Sequence, residues 1–99
     1  MRYFVYCLFS PKLDKHYLGR TTNISRRLQE HNQGKSKYTA KGRPWVLLGY
    51  LECATSFEAA YYERYLKKSK NIQYIQKFIK KQGTWLNHPF TKGAGSSIG

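Results

Sequence analysis

The sequence has very few acidic residues, and this shortage narrows the classes of partner that the protein can bind. Only 5 Asp and Glu stand against 18 Lys and Arg, which gives a formal net charge of +13 over 99 residues. A compact domain with so much charge of one sign repels itself unless a polyanion binds to it. Nucleic acid is therefore the first expected partner, and an anionic membrane surface is the alternative.

Long apolar runs and cysteines are also scarce. No stretch approaches the roughly 18 apolar residues of a membrane-spanning helix, and no signal peptide opens the sequence. Cys7 and Cys53 lie in apolar segments and outside any C-x-x-C pair, so we expect buried free thiols and no zinc site. These absences predict a cytoplasmic protein without a membrane-spanning segment.

Aromatic residues, in contrast, are abundant, and 9 of them are tyrosines. Basic residues interleaved with aromatics favour nucleic acid over a lipid surface, although tyrosine-rich cores also occur. The length permits one domain with a small core. We expect that domain to span residues 1–82, followed by a poorly ordered tail over residues 83–99.

Three segments have the composition of strands, and three have the periodicity of helices. Residues 2–9 are apolar on both faces, which predicts a central strand covered on each side. The other predicted elements are strands at 16–20 and 45–52, and helices that begin after the N-caps Asn23, Thr55 and Asn71.

The first predicted helix carries two polar residues on its inner face. At about 100° per residue, Arg27 and His31 fall on the same side as Leu28, whereas Arg26 faces water. An inward Arg is often an ion-pair partner, and an inward His is often a hydrogen-bonded core group. Because acidic partners are few, a bound phosphate is the other explanation for an inward cation.

The first two strands bring two phenols together. A four-residue loop at residues 10–13 would place Tyr6 directly opposite Tyr17 on the neighbouring strand. The simpler interpretation is a cross-strand aromatic pair that contributes about 0.2–1 kcal/mol. The alternative is two phenols presented side by side in a reaction site, and the proximity of Arg27 and His31 favours it.

Glu63 falls on the inner face of the second predicted helix, with Ala59 and Leu66. A carboxylate among apolar neighbours needs a cation close to it. An internal ion pair with Arg27 and a divalent metal ion are the two candidates.

Taken in order, these residues resemble the GIY-YIG nuclease family. The matches are Phe4-Val5-Tyr6, Tyr17-Leu18-Gly19, Arg27 and His31, then Tyr38-Thr39, Arg43-Pro44-Trp45, and Glu58-Ala59 with Glu63. Arg27 follows Tyr17 by ten residues, as in the usual pattern of the family, and the resemblance covers residues 3–80. Phe4 stands where the family has Gly, and we expect this change to affect packing more than chemistry.

The resemblance implies an α+β fold in which a small three-stranded antiparallel sheet is flanked by three or more helices, and the derived order of elements agrees. It also implies metal-dependent hydrolysis of DNA phosphodiesters, with Mg²⁺ or Mn²⁺ and no small-molecule cofactor. We expect structure-selective cleavage of branched or flapped DNA in repair or recombination. The chain is similar to small stand-alone members of the family, so target choice depends on DNA shape, the basic surface or a protein partner.

The resemblance also implies roles for individual residues. The candidate catalytic residues are Tyr6, Tyr17, Arg27, His31, Tyr38 and Glu63, with Glu63 as the metal ligand. Arg27 is expected at the phosphoryl oxygens and Tyr38 near the reacting phosphate. Tyr17 is the preferred general base, and His31 competes for that role because a His pKa suits neutral pH. Contacts with the DNA backbone are expected from Arg20, Lys35, Lys37, Lys41, Arg43 and Lys67.

Two interpretations from other functional classes remain open. One is a non-catalytic nucleic-acid-binding domain with the same fold and charge, and the other is a basic RNA-binding accessory protein. Neither explains why Arg27, His31 and Glu63 all face inward.

Overall fold

The computed structural model describes residues 1–86 and 97–98, and a strand with apolar side chains on both faces lies at its centre. This strand, β1 (Tyr3–Ser10), pairs antiparallel with β2 (Lys15–Thr21) on one side and β3 (Val46–Cys53) on the other. Six consecutive residues of β1, from Val5 to Ser10, are buried. The predicted central strand is therefore confirmed, with ends shifted by one residue.

The predicted register of the first two strands is wrong by two residues. Tyr6 lies opposite Gly19 instead of opposite Tyr17, because the strands continue to a tight turn at residues 11–14. Since side chains alternate between the two faces of a strand, a shift of two keeps both phenols on one face. The rings of Tyr6 and Tyr17 are still neighbours, with centroids 6.3 Å apart.

Two short strands extend the predicted three-stranded sheet. The strand β4 (Thr84–Trp85) pairs antiparallel with β3, and β5 (Ser97–Ile98) pairs parallel with β2, which gives the order β4-β3-β1-β2-β5. Both belong to the segment that we expected to be a poorly ordered tail. Residues 87–96 and 99 of that segment lie outside the described residues.

Three helices flank the sheet, as predicted, and the α+β fold is confirmed. They are α1 (Ile24–Asn32), α2 (Ser56–Ser69) and α3 (Ile72–Gln82). Each begins where a polar side chain accepts a hydrogen bond from the backbone N–H three residues later, and these N-caps are Asn23, Thr55 and Asn71. Just after α1, Gly34 has φ 78°, a left-handed conformation that glycine adopts without strain. None of the helices in the described ranges is long and apolar enough to cross a membrane.

The helices cover both faces of the sheet. The larger core cluster lies under α2 and α3 and includes Val5, Cys7, Leu18, Leu48, Leu66, Ile75 and Ile79. The smaller cluster lies under α1 and is formed by Tyr6, Leu8 and Trp45, with Leu28 packed against it. Both predicted thiols are free and buried. Burial raises the pKa of Cys7 to about 12 and that of Cys53 to about 11, so neither thiol is reactive near neutral pH.

The segment between α1 and β3, residues 33–45, is held by hydrogen bonds of Trp45, the residue that precedes β3. The Trp45 backbone N–H donates to the Asn32 side-chain oxygen at 2.6 Å, and the Asn32 amide donates back to the Trp45 carbonyl at 3.2 Å. The Trp45 indole N–H donates to the Thr39 carbonyl at 2.6 Å. These bonds hold Thr39 beneath α1, where its side chain takes part in the site described next.

Candidate active site

An open cleft of about 410 Å³ lies between α1, α2 and the end of β2. Its lining includes five of the predicted functional residues, namely Tyr6, Tyr17, Arg20, Arg27 and Glu63. These residues come from β1, β2, α1 and α2 and are up to 57 positions apart in the sequence. The fold therefore places two phenols, two guanidinium groups and one carboxylate around a single space.

The phenol of Tyr6 forms the floor of the cleft and is almost completely buried, with 2% of the residue exposed. It lies over Gly19, where an added Cβ would be 2.5 Å from the Tyr6 hydroxyl oxygen. That distance is shorter than any van der Waals contact, so the ring can occupy this position only because residue 19 lacks a side chain.

His31 lies behind Tyr6 and is fully buried. Its Nε2 is 2.9 Å from the Tyr6 hydroxyl oxygen, and its Nδ1 is 2.6 Å from the Thr39 hydroxyl oxygen. A neutral imidazole has one N–H donor and one acceptor, so it can satisfy both hydroxyls with a single ring proton. Burial, together with the nearby Arg27 guanidinium, lowers the pKa of His31 and favours this neutral form.

The position of His31 differs from the one that its predicted catalytic role requires. The imidazole does not line the cleft, because the Tyr6 ring lies between it and the open space. A bound phosphate would therefore contact Tyr6, whereas His31 would orient the Tyr6 hydroxyl from behind.

The proton of Tyr6 is firmly held. Burial raises its pKa to about 12, although a hydrogen bond from Arg27 acts in the opposite direction. At neutral pH the Tyr6 phenol is therefore a hydrogen-bond donor and not a base.

Glu63 is paired with two cations, and Arg27, one of its two candidate partners, is not among them. Its Oε1 lies 2.6 Å from Arg20 Nε, and its Oε2 lies 3.0 Å from Lys67 Nζ. The pairing with Lys67 follows from helix geometry, since residues four apart share one face of α2. Arg20 reaches the same carboxylate from the end of β2.

Arg27 is paired with an acidic residue of its own helix. Its Nη1 lies 3.0 Å from Glu30 Oε1, one turn further along α1. The alternative of an internal ion pair between Arg27 and Glu63 is therefore not found, and the role of Glu63 as a metal ligand stays a prediction. The side chain of Arg27 is still 33% exposed, so the guanidinium can contact a ligand in the cleft while Glu30 holds it in place.

The acidic residues of the cleft determine how a metal could bind. In residues 1–86 and 97–98, no group of three or more His, Cys, Asp or Glu side chains is arranged to hold one. Glu63 is the one acidic residue in the lining of the cleft. A single carboxylate open to solvent suits Mg²⁺ or Mn²⁺, which keep several water ligands. The residues present therefore fit a metal held by Glu63 alone, provided that Arg20 and Lys67 move aside.

The other predicted site residues lie outside the cleft. Tyr38 is 93% exposed and lines a neighbouring groove that also contains Tyr17 and Lys67. It faces outward because the next residue, Thr39, turns inward to His31. The cations of the same segment, predicted to contact DNA, are all exposed, namely Lys35, Lys37, Lys41 and Arg43.

Thr39 is the site residue whose role the sequence did not reveal. It belongs to a segment without helical or strand periodicity, so the sequence does not indicate which side chain faces inward. A second groove was also not predicted, and it is lined mainly by the cations Arg20, Arg64, Lys67, Lys68 and Lys70. In the sequence, only the cluster of Lys67, Lys68 and Lys70 indicated a basic surface at this place.

Comparisons with known proteins show which family the sequence is similar to. The sequence model of the GIY-YIG catalytic domain matches residues 2–77. A UPF0213 protein of Haloquadratum walsbyi is 34% identical over 73 residues, which are 74% of this chain and 81% of the relative. UPF0213 proteins of Bacillus licheniformis and Syntrophus aciditrophicus are 40% and 43% identical over 65 and 63 residues. These matches cover 61% of this chain in both cases, and 66% and 71% of the respective relatives. No solved structure matches the chain significantly.

The neutral state of His31 predicts a dependence of stability on pH. The pKa of His31 is lowered on folding from about 6.5, so below that pH the unfolded state binds more protons than the folded state. The free energy of unfolding should therefore decrease as the pH falls through about 6.5. Thermal melts of the wild type and of His31→Gln between pH 5 and pH 8 measure this, and the variant should show the weaker dependence. Equal pH dependence of the two proteins would contradict the buried neutral imidazole.

Proposed function

Because the chain belongs to the GIY-YIG family of nucleases, we propose that it is a metal-dependent endonuclease that hydrolyses DNA phosphodiesters. The observation that carries this proposal is the cleft in which Tyr17, Arg27 and Glu63 meet around one space. The net charge of +13 supports a polyanionic substrate. The same proposal includes Mg²⁺ or Mn²⁺ as the metal, and branched or flapped DNA in repair or recombination as the substrate.

Binding of the substrate phosphate is assigned to Arg27. Hydrolysis adds negative charge to the phosphoryl oxygens as water attacks, and a guanidinium can donate two parallel hydrogen bonds to them. The ion pair with Glu30 holds Arg27 at the wall of the cleft before the substrate arrives. This preorganisation reduces the entropy that is lost when the phosphate binds.

Activation of the attacking water is assigned to Tyr17, whose phenol lines the cleft. Tyr17, acting in its phenolate form, would accept a proton from the attacking water as the new P–O bond forms. The bond to the 3′ oxygen breaks at the same time, and that oxygen takes up a proton from solvent water to leave as the 3′-hydroxyl. Tyr6 holds its own proton and would donate a hydrogen bond to the water or to the phosphate. His31 and Thr39 fix the orientation of the Tyr6 hydroxyl from behind.

The role of Glu63 is to hold the divalent ion, whose positive charge would offset the charge that develops on the phosphate. Arg20 and Lys67, which now neutralise this carboxylate, would then be free to bind the flanking phosphates of the DNA. When metal and DNA bind together, Arg20 and Lys67 would thus exchange the Glu63 carboxylate for DNA phosphates.

A non-catalytic nucleic-acid-binding domain is the second candidate function. The observation in its favour is that both oxygens of Glu63 are already paired with cations, so the carboxylate is neutralised without a metal. Such a protein would bind DNA or structured RNA with strong dependence on salt and would cleave neither.

Cleavage assays with matched variants test the proposal. The wild type should cleave at least one DNA in a panel of plasmid, flap, fork and four-way-junction substrates, and only when Mg²⁺ or Mn²⁺ is added. Arg27→Ala and Glu63→Gln should each lower the cleavage rate by at least about 100-fold, the usual effect of removing one stabiliser of transition-state charge. Both variants should remain folded, since each replaced side chain borders open solvent.

Exposed neighbours provide the controls. Arg26→Ala removes a cation from the outer side of α1, and Glu52→Gln removes an exposed carboxylate. Both should cleave at nearly the wild-type rate. A Glu63→Gln or Arg27→Ala variant with near-normal turnover would overturn the assignment. Tight DNA binding by the wild type without cleavage in either metal would favour the non-catalytic function.

Conservative substitutions of the two phenols separate their roles. Tyr17→Phe should lower the rate by about 10²–10⁴-fold, because it removes the general base. Tyr6→Phe should have a smaller effect, because it removes one hydrogen bond but keeps the ring. Rates measured from pH 6 to pH 9 under single-turnover conditions make the comparison. Near-normal cleavage by Tyr17→Phe would show that Tyr17 is not the general base.

A further inference from the structure

A row of large aromatic side chains on the outer surface is not used by the proposed mechanism. Phe57 is 82% exposed, Tyr61 57%, and Tyr65 and Tyr74 39% each. The first three are four residues apart on α2 and therefore form one row along the helix, and Tyr74 adjoins this row from α3. We call these four residues the aromatic face. A large patch of exposed apolar side chains on a protein surface commonly marks an interaction site.

Three rings of the aromatic face, those of the tyrosines, are held in position by contacts with their neighbours. Tyr61 and Tyr65 are stacked, with centroids 6.2 Å apart and planes 9° apart. The hydroxyls of Tyr65 and Tyr74 form a hydrogen bond, and the Tyr65 ring packs against Phe78 at 5.6 Å. Rings that are already ordered lose little conformational freedom when a ligand binds, so this face is suited to receive a flat group.

The aromatic face is continuous with the active-site cleft through a basic surface. The groove of cations described above shares Arg20 and Glu63 with the cleft. At its other end it shares Lys68 with a hollow formed by Tyr65, Ser69, Asn71 and Tyr74. A path therefore runs from the cleft, past Lys67 and Lys68, to Tyr65 and Tyr74, and Tyr61 adjoins it through its stacking on Tyr65. Its first part is cationic and its last part is aromatic.

We propose that this path binds a single-stranded arm of the nucleic acid whose phosphodiester lies in the cleft. The lysines would pair with the phosphates of the arm, and its bases would stack on Tyr61 and Phe57. A duplex cannot bind in this way, because its bases are already stacked inside the helix. A second copy of this chain is a poor occupant, since it would bring another net charge of +13 to a face already rich in cations.

This inference rests on the proposed function, because the arm is continuous with the strand in the cleft. It deepens that proposal by giving a physical reason for selection of flapped or forked DNA. A fully paired duplex would contact the cleft and the cations but would leave the aromatic face uncovered. A branched substrate would contact all three.

The test compares two fluorescent DNA probes with equal numbers of phosphates, one a plain duplex and the other a shorter duplex with a single-stranded arm. Their dissociation constants are measured by anisotropy in EDTA, so that no cleavage occurs. The wild type should prefer the probe with the arm. Tyr61→Ala should weaken binding of that probe about tenfold, within the range for loss of one stacked base, and should change duplex binding less than about twofold.

Three further variants make the result specific. Tyr61→Phe keeps the ring and should retain the preference, whereas Phe57→Ala, at the most exposed ring, should reduce it as Tyr61→Ala does. Gln29→Ala, on the exposed side of α1, is the control for an unrelated surface change. Phe57→Ala also secures the test if Tyr61→Ala is misfolded, because an 82% exposed side chain contributes little to the fold.

The outcomes separate this inference from the proposed function. A wild type that cleaves DNA while Tyr61→Ala and Phe57→Ala bind both probes like the wild type would overturn the inference alone. Equal weakening of both probes by these variants would also overturn it. So would a wild type that forms dimers in solution when the two variants are monomers, because a second copy would then cover the aromatic face. A wild type that prefers the arm through Tyr61 and Phe57 but cleaves nothing would confirm the binding path and refute the nuclease proposal.

Discussion

The close approach of Tyr6 to Gly19 is the contact on which the rest of the site depends. The two residues lie opposite each other in the pairing of β1 with β2, and the missing side chain of Gly19 leaves room for the phenol. In that position the Tyr6 hydroxyl reaches His31, and the ring becomes the floor of the cleft. His31 in turn contacts Thr39. A larger residue 19 would therefore disturb the sheet, the seat of α1 and the cleft together.

The shortage of acidic residues shapes the electrostatics of the same cleft. Glu63 is the one carboxylate in its lining, and it draws Arg20 and Lys67 toward it. This arrangement brings two cations to the edge of the cleft. A divalent ion could bind the carboxylate only if these two cations moved aside. The excess of basic residues indicates a polyanionic partner. It also explains why two cations, Arg20 and Lys67, surround Glu63, the proposed metal ligand.

Much of this architecture could be predicted from local signals in the sequence. The helix starts follow from the N-cap side chains of Asn23, Thr55 and Asn71, and helical periodicity places Arg27 and Glu63 on inner faces. What periodicity cannot show is which residue lies across the cleft, and for that reason the sequence did not reveal that Arg20 pairs with Glu63. The strand register depends on where the turn closes, which the residues of the turn do not determine. The two-residue strand β4 is too short to give a pattern.

The most direct test of the account is cleavage in water enriched in ¹⁸O, followed by mass spectrometry of the DNA ends. In the proposed reaction, water attacks a phosphate bound in the cleft, and the bond to the 3′ oxygen breaks. The expected result is metal-dependent product in which each new 5′-phosphate carries one ¹⁸O and each new 3′-hydroxyl carries none. Absence of product with Mg²⁺ and with Mn²⁺, or product whose 5′-phosphates lack the label, would contradict hydrolysis by this protein.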